Sequence, residues 1–183
     1  MRGLTVTDRL LVPIVQADGA APRFTWYDDA AGARMGLSAI TLGNWAAKCG
    51  NLLRDQYGLG EGDVMLHAGA LSWTFTLGVG LTDPWAKGAT AVVYDGPRDG
   101  LVWPRLVAAT GATLFAAVPG VYRHLLRHGD PTTWDLRTLR HGLVAGEALP
   151  RTVLEGWQEA TGRPLYESLG MSEISTFVSS GPT

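Results

Sequence analysis

One stretch, residues 139–173, most limits the folds that this chain can adopt. Two short apolar runs, 142–145 and 164–169, flank an amphipathic segment, and each run leads into a small-residue turn that carries an acid. The first turn is Gly146 with Glu147, and the second covers residues 170–173. This order predicts two neighbouring parallel strands joined by a helix, with both turns at carboxyl ends, where open α/β sheets bind ligands.

The residues of the two turns are suited to binding a phosphorylated ligand. Glycine lets the backbone approach a ligand closely, the hydroxyl of Ser172 can hydrogen-bond a phosphate oxygen, and the carboxylate of Glu173 can ligate a hard cation such as Mg²⁺. The same pattern is also that of a plain strand-to-helix turn with a capping serine. Taken alone, the second turn leaves both interpretations open.

Two motifs in this stretch, AGEAL (145–149) and YESLGMSE (166–173), resemble motifs of the adenylate-forming superfamily, which includes acyl-CoA synthetases and aryl-CoA ligases. WTFTLGVGLTDPWAKGATAVVYDG (73–96) and TLFAAVPGVYRHLL (113–126) are similar to the middle of these ligases, benzoate-CoA ligase-like members in particular. The opening of the chain resembles the start of a small actinobacterial family that itself looks like a shortened adenylation domain.

The resemblance implies acyl activation, in which a carboxylate and ATP give acyl-AMP and pyrophosphate before CoA takes the acyl group. It implies ATP or AMP, Mg²⁺ and CoA as ligands, and a small aromatic or medium-chain carboxylic acid as substrate. The residues that it implies for the acyl pocket, named below, could equally be residues of the hydrophobic core. The implied residues are Ser172 on the α-phosphate and Glu173 on Mg²⁺; Ala145, Gly146, Glu147, Ser168, Leu169 and Gly170 around the nucleotide; and Trp73, Phe75, Val118 and Pro119, with Gly170, around the acyl group.

The periodicity along the chain predicts an α/β fold with a mostly parallel sheet and flanking helices, the partial core of an adenylation domain. Residues 1–63 are expected to form an N-terminal helix, hairpin and helix segment, and residues 64–183 a βα-repeat core. The expected elements are helices over 4–17, 37–57, 102–110 and 121–128, a hairpin within 22–38 with its turn over 28–36, and strands over 90–94, 113–118, 142–145 and 164–169.

Parts of the family pattern are missing from the sequence. No Ser/Thr/Gly-rich loop ending in lysine, which in the family wraps the ATP phosphates, is present, and Lys48 and Lys87 are the only lysines. The family's ribose-binding Asp, its hinge and the lid domain with the catalytic lysine would lie beyond Thr183. A positive charge is needed where charge develops at the α-phosphate. We therefore expect an internally deleted and C-terminally truncated acyl-CoA synthetase, with weak or no adenylate formation as an isolated chain.

Two further hypotheses stay open. The chain could be a non-catalytic remnant that binds a nucleotide or an acyl ligand, or that docks onto a protein partner supplying the missing segments. It could also come from a damaged gene and fold poorly, because uncovered strand edges and apolar surface favour aggregation.

Composition excludes several classes of function. The 183 residues are 46% hydrophobic and 17% charged with a formal net charge of −2, which is typical of a soluble globular protein. Because the basic residues form no run and no apolar run approaches about 18 residues, neither nucleic acid nor a membrane is expected as a partner. The single Cys49 excludes an internal disulfide, and residues 1–20 lack a signal-peptide pattern, so the cytoplasm is the expected location.

Other candidate sites are weaker. His124 and His128 have metal-ligand spacing on a helix, but no acid of an H-E-x-x-H motif and no third ligand accompany them, and an exposed helix end is the better account. GLGEG (58–62) follows a helix, so it is no dinucleotide fingerprint. A serine hydrolase would need G-x-S-x-G, which GMSEI does not supply. His67 is expected to be structural, and His141 has no assigned role.

Overall fold

The computed structural model describes residues 6–28, 33–40, 58–97, 99–171 and 175–180. The chain divides into two compact units, residues 1–52 and 53–183. The division expected from sequence, after residue 63 and without a lid domain, remains a prediction. Within the described ranges, no helix is both long enough and apolar enough to cross a membrane.

The first unit contains a helix and a hairpin. Helix α1, Val6–Asp18, precedes the antiparallel strands β1, Pro22–Asp28, and β2, Ala33–Ser38. The predicted helix and the predicted hairpin are therefore confirmed. The turn is shorter than the predicted residues 28–36, because strand pairing resumes at Ala33.

The predicted start of the second helix at Leu37 is two residues early, because the described helical residues begin at Ala39. Leu37 pairs with Phe24 across the hairpin, because the alternating pattern of the strand continues through this position. The remainder of the predicted helix, residues 41–57 with Cys49, lies outside the described residues.

The second unit is built on a sheet that has six strands in the described part of the chain. The strands are β3 Val64–His67, β4 Thr90–Val92, β5 Leu114–Ala117, β6 His141–Val144, β7 Leu165–Met171 and β8 Ser175–Ser179. Their order is β4-β3-β5-β6-β7-β8, and all neighbours are parallel except β7 and β8. The predicted α/β fold class is confirmed.

Helices connect the parallel strands. The helical elements are α2 Thr74–Leu77, a π-helical turn Gly78–Thr82, α3 Asp83–Ala86, α4 Val102–Thr110, α5 Pro119–His128, a 3-10 turn Pro131–Thr133 and α6 Arg151–Thr161. The predicted helix over 102–110 is confirmed. The predicted helix over 121–128 begins two residues earlier, at Pro119, whose missing N–H costs nothing in a first turn.

The core lies between the sheet and the helices. Every residue of β5 and β6 is buried, which explains why these strands are apolar throughout instead of alternating. Tyr122 of α5 is fully buried, and its hydroxyl donates a hydrogen bond to the carbonyl oxygen of Phe115 at 2.6 Å. The large side chains of this core include Leu66, Val107, Phe115, Tyr122, Leu125, Val144 and Trp157.

The end of β7 corrects the sequence prediction of a turn over residues 170–173. Gly170 and Met171 continue the strand and pair with β8, so the chain turns back only after Met171. Strand β8 was not predicted from sequence, although STFVS contains the β-branched and aromatic residues that favour strands. Ser172 and Glu173 lie outside the described residues.

Candidate functional site

The carboxyl ends of β5, β6 and β7 lie side by side in the sheet. Val118 directly follows β5, and Ala145 and Gly146 follow β6. Strand β7 is longer and continues past Glu167, the last residue that it pairs with β6. Residues from three neighbouring strands therefore share the edge at which parallel α/β sheets bind ligands.

Trp73 and Val118 meet at Gly146. A Cβ atom placed on Gly146 would lie 2.8 Å from Cη2 of Trp73 and 3.3 Å from Cγ1 of Val118. Gly146 also has a φ of +98°, which residues with a side chain rarely adopt. Two residues predicted for the acyl group and one predicted for the nucleotide therefore lie in one place, and glycine is required there.

Three rings form an aromatic cluster beside this contact. The ring centroids of Trp73 and Phe75 are 5.2 Å apart, and His67 lies 4.7 Å from Phe75 and 6.4 Å from Trp73. All three pairs are edge-to-face, the arrangement that aromatic quadrupoles favour. Trp73 is 37% exposed, so the cluster reaches the surface beside Gly146.

Glu147 is held by the start of α5. Its Oε1 accepts a hydrogen bond from the backbone N–H of Gly120 at 3.1 Å and lies 4.0 Å from the guanidinium of Arg123. Both side chains of the ion pair are about half exposed, so the backbone hydrogen bond is the more specific contact. Glu147 thus joins the loop after β6 to the helix after β5.

Glu167 is a site residue that the sequence analysis missed. Its Oε1 accepts a hydrogen bond from the backbone N–H of Leu149 at 2.8 Å, which ties the loop after Gly146 to β7. Its own backbone N–H donates to Oγ of Ser180 at 2.8 Å. Because Glu167 is exposed, its residue type alone gives no signal that its carboxylate accepts this hydrogen bond.

The other predicted residues take different positions at this edge. Ala145 and Ser168 are buried, whereas the side chain of Leu169 is 57% exposed and Gly170 is exposed. Pro119 is buried in the first turn of α5. The roles predicted for these residues, and those of Ser172 and Glu173 outside the described ranges, stay predictions.

His67, one of the three rings of the aromatic cluster, and Thr76, which follows Phe75 in the chain, are both buried. Their exposed fractions are 5% and 2%. Nδ1 of His67 accepts a hydrogen bond from the backbone N–H of Gly69 at 2.9 Å, so the ring proton of the neutral imidazole is on Nε2. Burial lowers the pKa of His67 to about 4, so the ring is neutral at neutral pH.

The remaining histidines occupy two separate places. The rings of His124 and His128 on α5 are tilted by 44° to each other, with centroids 4.6 Å apart. No group of three or more His, Cys, Asp or Glu side chains suited to a metal ion is found in the described ranges. His141 is buried at the start of β6, and its pKa is lowered to about 4 by burial and by Arg140, against the opposing effect of Asp63.

The two buried imidazoles predict that the protein is sensitive to acid. At pH values between about 4, the pKa of these histidines in the folded state, and 6.5, their ordinary pKa, the unfolded chain binds protons that the folded state does not. The free energy of unfolding is therefore greatest above pH 6.5 and falls as the pH drops toward 4. For His67 alone the loss is on the order of 3 kcal/mol by pH 4.

Urea unfolding at pH 7, 5.5 and 4.5 measures this loss in the unmodified chain and in His67→Asn. Asparagine offers an oxygen to the N–H of Gly69 but does not titrate, so the variant should lose less stability over the range. The exposed His128→Asn serves as the control and should follow the unmodified chain. Parallel curves for the chain and His67→Asn would contradict the prediction.

The fold and the residues at this edge define an α/β protein with a candidate ligand site at the carboxyl ends of its strands. The family model of the AMP-binding enzymes matches residues 39–183 of the chain. The chain therefore belongs to the AMP-binding enzyme family, and its resemblance to the adenylate-forming ligases is confirmed.

Three similar proteins show how much of a relative the chain represents. A protein of Mycobacterium tuberculosis is 40% identical over 63% of this chain and 48% of its own length. The 3-hydroxybenzoate–CoA ligase of Aromatoleum sp. is 35% identical over 65% of this chain and 23% of its own length. A crystal structure of an anthranilate CoA ligase with anthranoyl-AMP matches 86% of this chain and 31% of its own, with 26% identity and a TM-score of 0.73. The chain thus spans about half of the first relative and about a quarter of the second.

Proposed function

We propose that this chain forms the acyl-facing and nucleotide-facing part of an acyl-CoA ligase that activates an aromatic carboxylic acid. In the reaction, the carboxylate attacks the α-phosphorus of ATP and releases pyrophosphate, and the thiol of CoA then displaces AMP from the acyl-AMP. The observation that carries the proposal is the convergence of Trp73 and Val118 on Gly146 in a member of the AMP-binding family.

The residues at the carboxyl edge suit the two halves of an acyl-adenylate. The rings of Trp73 and Phe75, with Val118 and Pro119, offer the apolar and aromatic surface that an aryl group needs. Gly146 and the exposed Leu169 would lie on the nucleotide side of this surface. Ala145, Glu147, Ser168 and Gly170 would border the nucleotide.

The catalytic and metal roles rest on the family motif. Ser172 would hydrogen-bond the α-phosphate, and Glu173 would hold Mg²⁺, which neutralises phosphate charge when it is bound. CoA would be the co-substrate. The acid is proposed to be aromatic because two similar ligases are named for 3-hydroxybenzoate and anthranilate. A cytoplasmic location is part of the proposal.

A second candidate function is binding without catalysis. The sequence contains no lysine-terminated phosphate loop, and Lys87 follows an alanine instead of a Ser/Thr/Gly run. Such a chain would bind an acyl-adenylate, or a protein partner that supplies the loop, but would form adenylate weakly. Carboxylate-dependent pyrophosphate release above that of Glu173→Ala distinguishes catalysis from binding alone.

The proposal is tested by thermal unfolding with a non-hydrolysable benzoyl-sulfamoyl adenosine. A ligand that binds only the folded state at 100 times its dissociation constant should raise the midpoint by about 5–10 °C. Sulfamoyl adenosine without the benzoyl group is the control and should give a smaller shift. A cooperative transition that neither compound moves would contradict the proposed function.

A further inference from the structure

Two buried polar atoms beside the aromatic cluster have no hydrogen-bond partner among the described residues. They are Nε2 of His67 and Oγ1 of Thr76. Nε2 is the protonated nitrogen, because Nδ1 accepts from the N–H of Gly69, so it is an unused donor. The hydroxyl of Thr76 can both donate and accept. Unpaired buried polar atoms are uncommon in folded proteins, and each one calls for an explanation.

Both atoms lie near the same backbone segment. A Cβ atom placed on Gly69 would overlap Oγ1 of Thr76 and would lie 3.0 Å from Cε1 of His67, the ring carbon between Nδ1 and Nε2. Glycine at this position therefore lets the imidazole and the hydroxyl approach each other. One small polar group placed between them could pair with both.

The polar pair adjoins the proposed aryl pocket. The ring of His67 contacts Phe75 and Trp73 edge to face, and the indole of Trp73 reaches Gly146. Phe75 and Thr76 are consecutive residues of helix α2, so one short helix carries both a ring of the aromatic cluster and the buried hydroxyl. An aryl group that packs against the aromatic cluster would therefore bring its ring substituents near the two unpaired atoms.

We propose that His67 and Thr76 select an aromatic acid that carries a ring hydroxyl group. The inference rests on the proposed function and names the substrate class of the same site. The Nε2–H of His67 donates to the phenol oxygen, and the phenol O–H donates to Oγ1 of Thr76, so both orphaned atoms are paired. An aromatic amine is a poor acceptor and a chlorine atom cannot donate, so neither completes both contacts. A site that pairs a substrate hydroxyl discriminates strongly against the analogue that lacks it.

The test compares sulfamoyl adenosines that carry a benzoyl, a 2-, 3- or 4-hydroxybenzoyl, or a 3-chlorobenzoyl group. Titration calorimetry on the 183-residue chain gives a dissociation constant for each compound. At least one hydroxybenzoyl isomer should bind about tenfold or more tightly than the benzoyl compound. The chlorobenzoyl compound should show no such gain.

Two variants assign this preference to its residues. His67→Asn removes the Nε2–H donor and keeps an acceptor for Gly69, and Thr76→Val removes the hydroxyl at nearly constant shape. Each should bring the ratio of hydroxybenzoyl to benzoyl affinity close to one. Thr74→Val, an exposed position on the same helix, is the matched control and should keep the ratio.

The melting temperatures of the free variants show whether a lost preference reflects a changed site or a poorly folded protein. Thr76→Val removes an unpaired buried hydroxyl, so the melting temperature of the free variant should stay the same or rise. If every hydroxybenzoyl isomer binds like the benzoyl compound, or if both variants keep the preference, the inference is wrong and the proposed function stands. If no compound binds the unmodified chain, the proposed function fails and the inference fails with it.

Discussion

Replacing Trp157 with alanine is expected to lower the free energy of unfolding by about 3–5 kcal/mol, the usual cost of removing a large buried aromatic side chain. Trp157 is 1% exposed on α6. Its ring lies edge to face against Tyr122, with centroids 4.8 Å apart, and 6.0 Å from the ring of Trp134. The cavity would therefore open where α5, α6 and the segment after the 3-10 turn meet.

Urea unfolding with two matched variants isolates this packing effect. Trp157→Phe keeps a ring against Tyr122 and removes an indole N–H that has no hydrogen-bond partner among the described residues, so its cost should be about 1 kcal/mol. Trp85→Ala removes the same side chain at a position that is 63% exposed and should change stability by less than about 0.5 kcal/mol. Equal losses for Trp157→Ala and Trp85→Ala would contradict the packing account.

The same variant connects the core to the candidate site. Helix α6 joins β6 to β7, and the carboxyl ends of these strands carry Gly146 and Ser168. Loosening α6 should therefore weaken binding of the benzoyl-sulfamoyl adenosine as well as stability. The loss of affinity should be recovered in Trp157→Phe, because that variant keeps the helix packed.

The sheet was predictable from sequence because burial on both faces leaves a direct pattern. Strands such as LFAA (114–117) and HGLV (141–144) are almost wholly apolar, which alternating surface strands are not. Pro119 marked the start of α5 for a local steric reason. The type and order of these central elements could therefore be assigned without coordinates.

The sequence-based predictions that failed concern residues whose conformation depends on pairing with another strand. Gly170 looked like a turn residue because glycine is depleted in strands, yet β8 pairs with it and extends β7. Leu37 fitted a helical pattern but pairs with Phe24 in the hairpin. In both cases the partner strand decides the conformation, and the local sequence does not contain that information.

The candidate site was predictable only where a family motif marked it. Gly146 and Trp73 were identified by resemblance, although their contact spans more than 70 positions and no periodicity predicts it. Glu167, His67 and Thr76 could not be assigned in advance, because their importance lies in which hydrogen bonds they make or lack. Hydrogen-bond satisfaction is a property of the fold and cannot be read from residue type.

Replacing Gly146 with alanine is expected to cost about 2–6 kcal/mol of stability and to weaken binding of the benzoyl-sulfamoyl adenosine at least about tenfold. The backbone strain of a positive φ contributes about 1–3 kcal/mol. The new Cβ would also lie 2.8 Å from Cη2 of Trp73, which adds the cost of overpacking, about 1–3 kcal/mol. Relief of the clash requires the indole to move, and the indole is the proposed wall of the aryl pocket.

Gly62→Ala is the control that separates these two causes. Gly62 has a φ of +102°, close to the +98° of Gly146, but a Cβ placed on it has no neighbour within 4 Å. Both variants should therefore show the strain in thermal and urea unfolding, while only Gly146→Ala should lose affinity in calorimetry. Trp73→Phe in the Gly146→Ala background should recover part of the stability, because the smaller ring no longer reaches residue 146. Equal affinities of the two alanine variants would mean that the contact between Trp73 and Gly146 does not shape the ligand site.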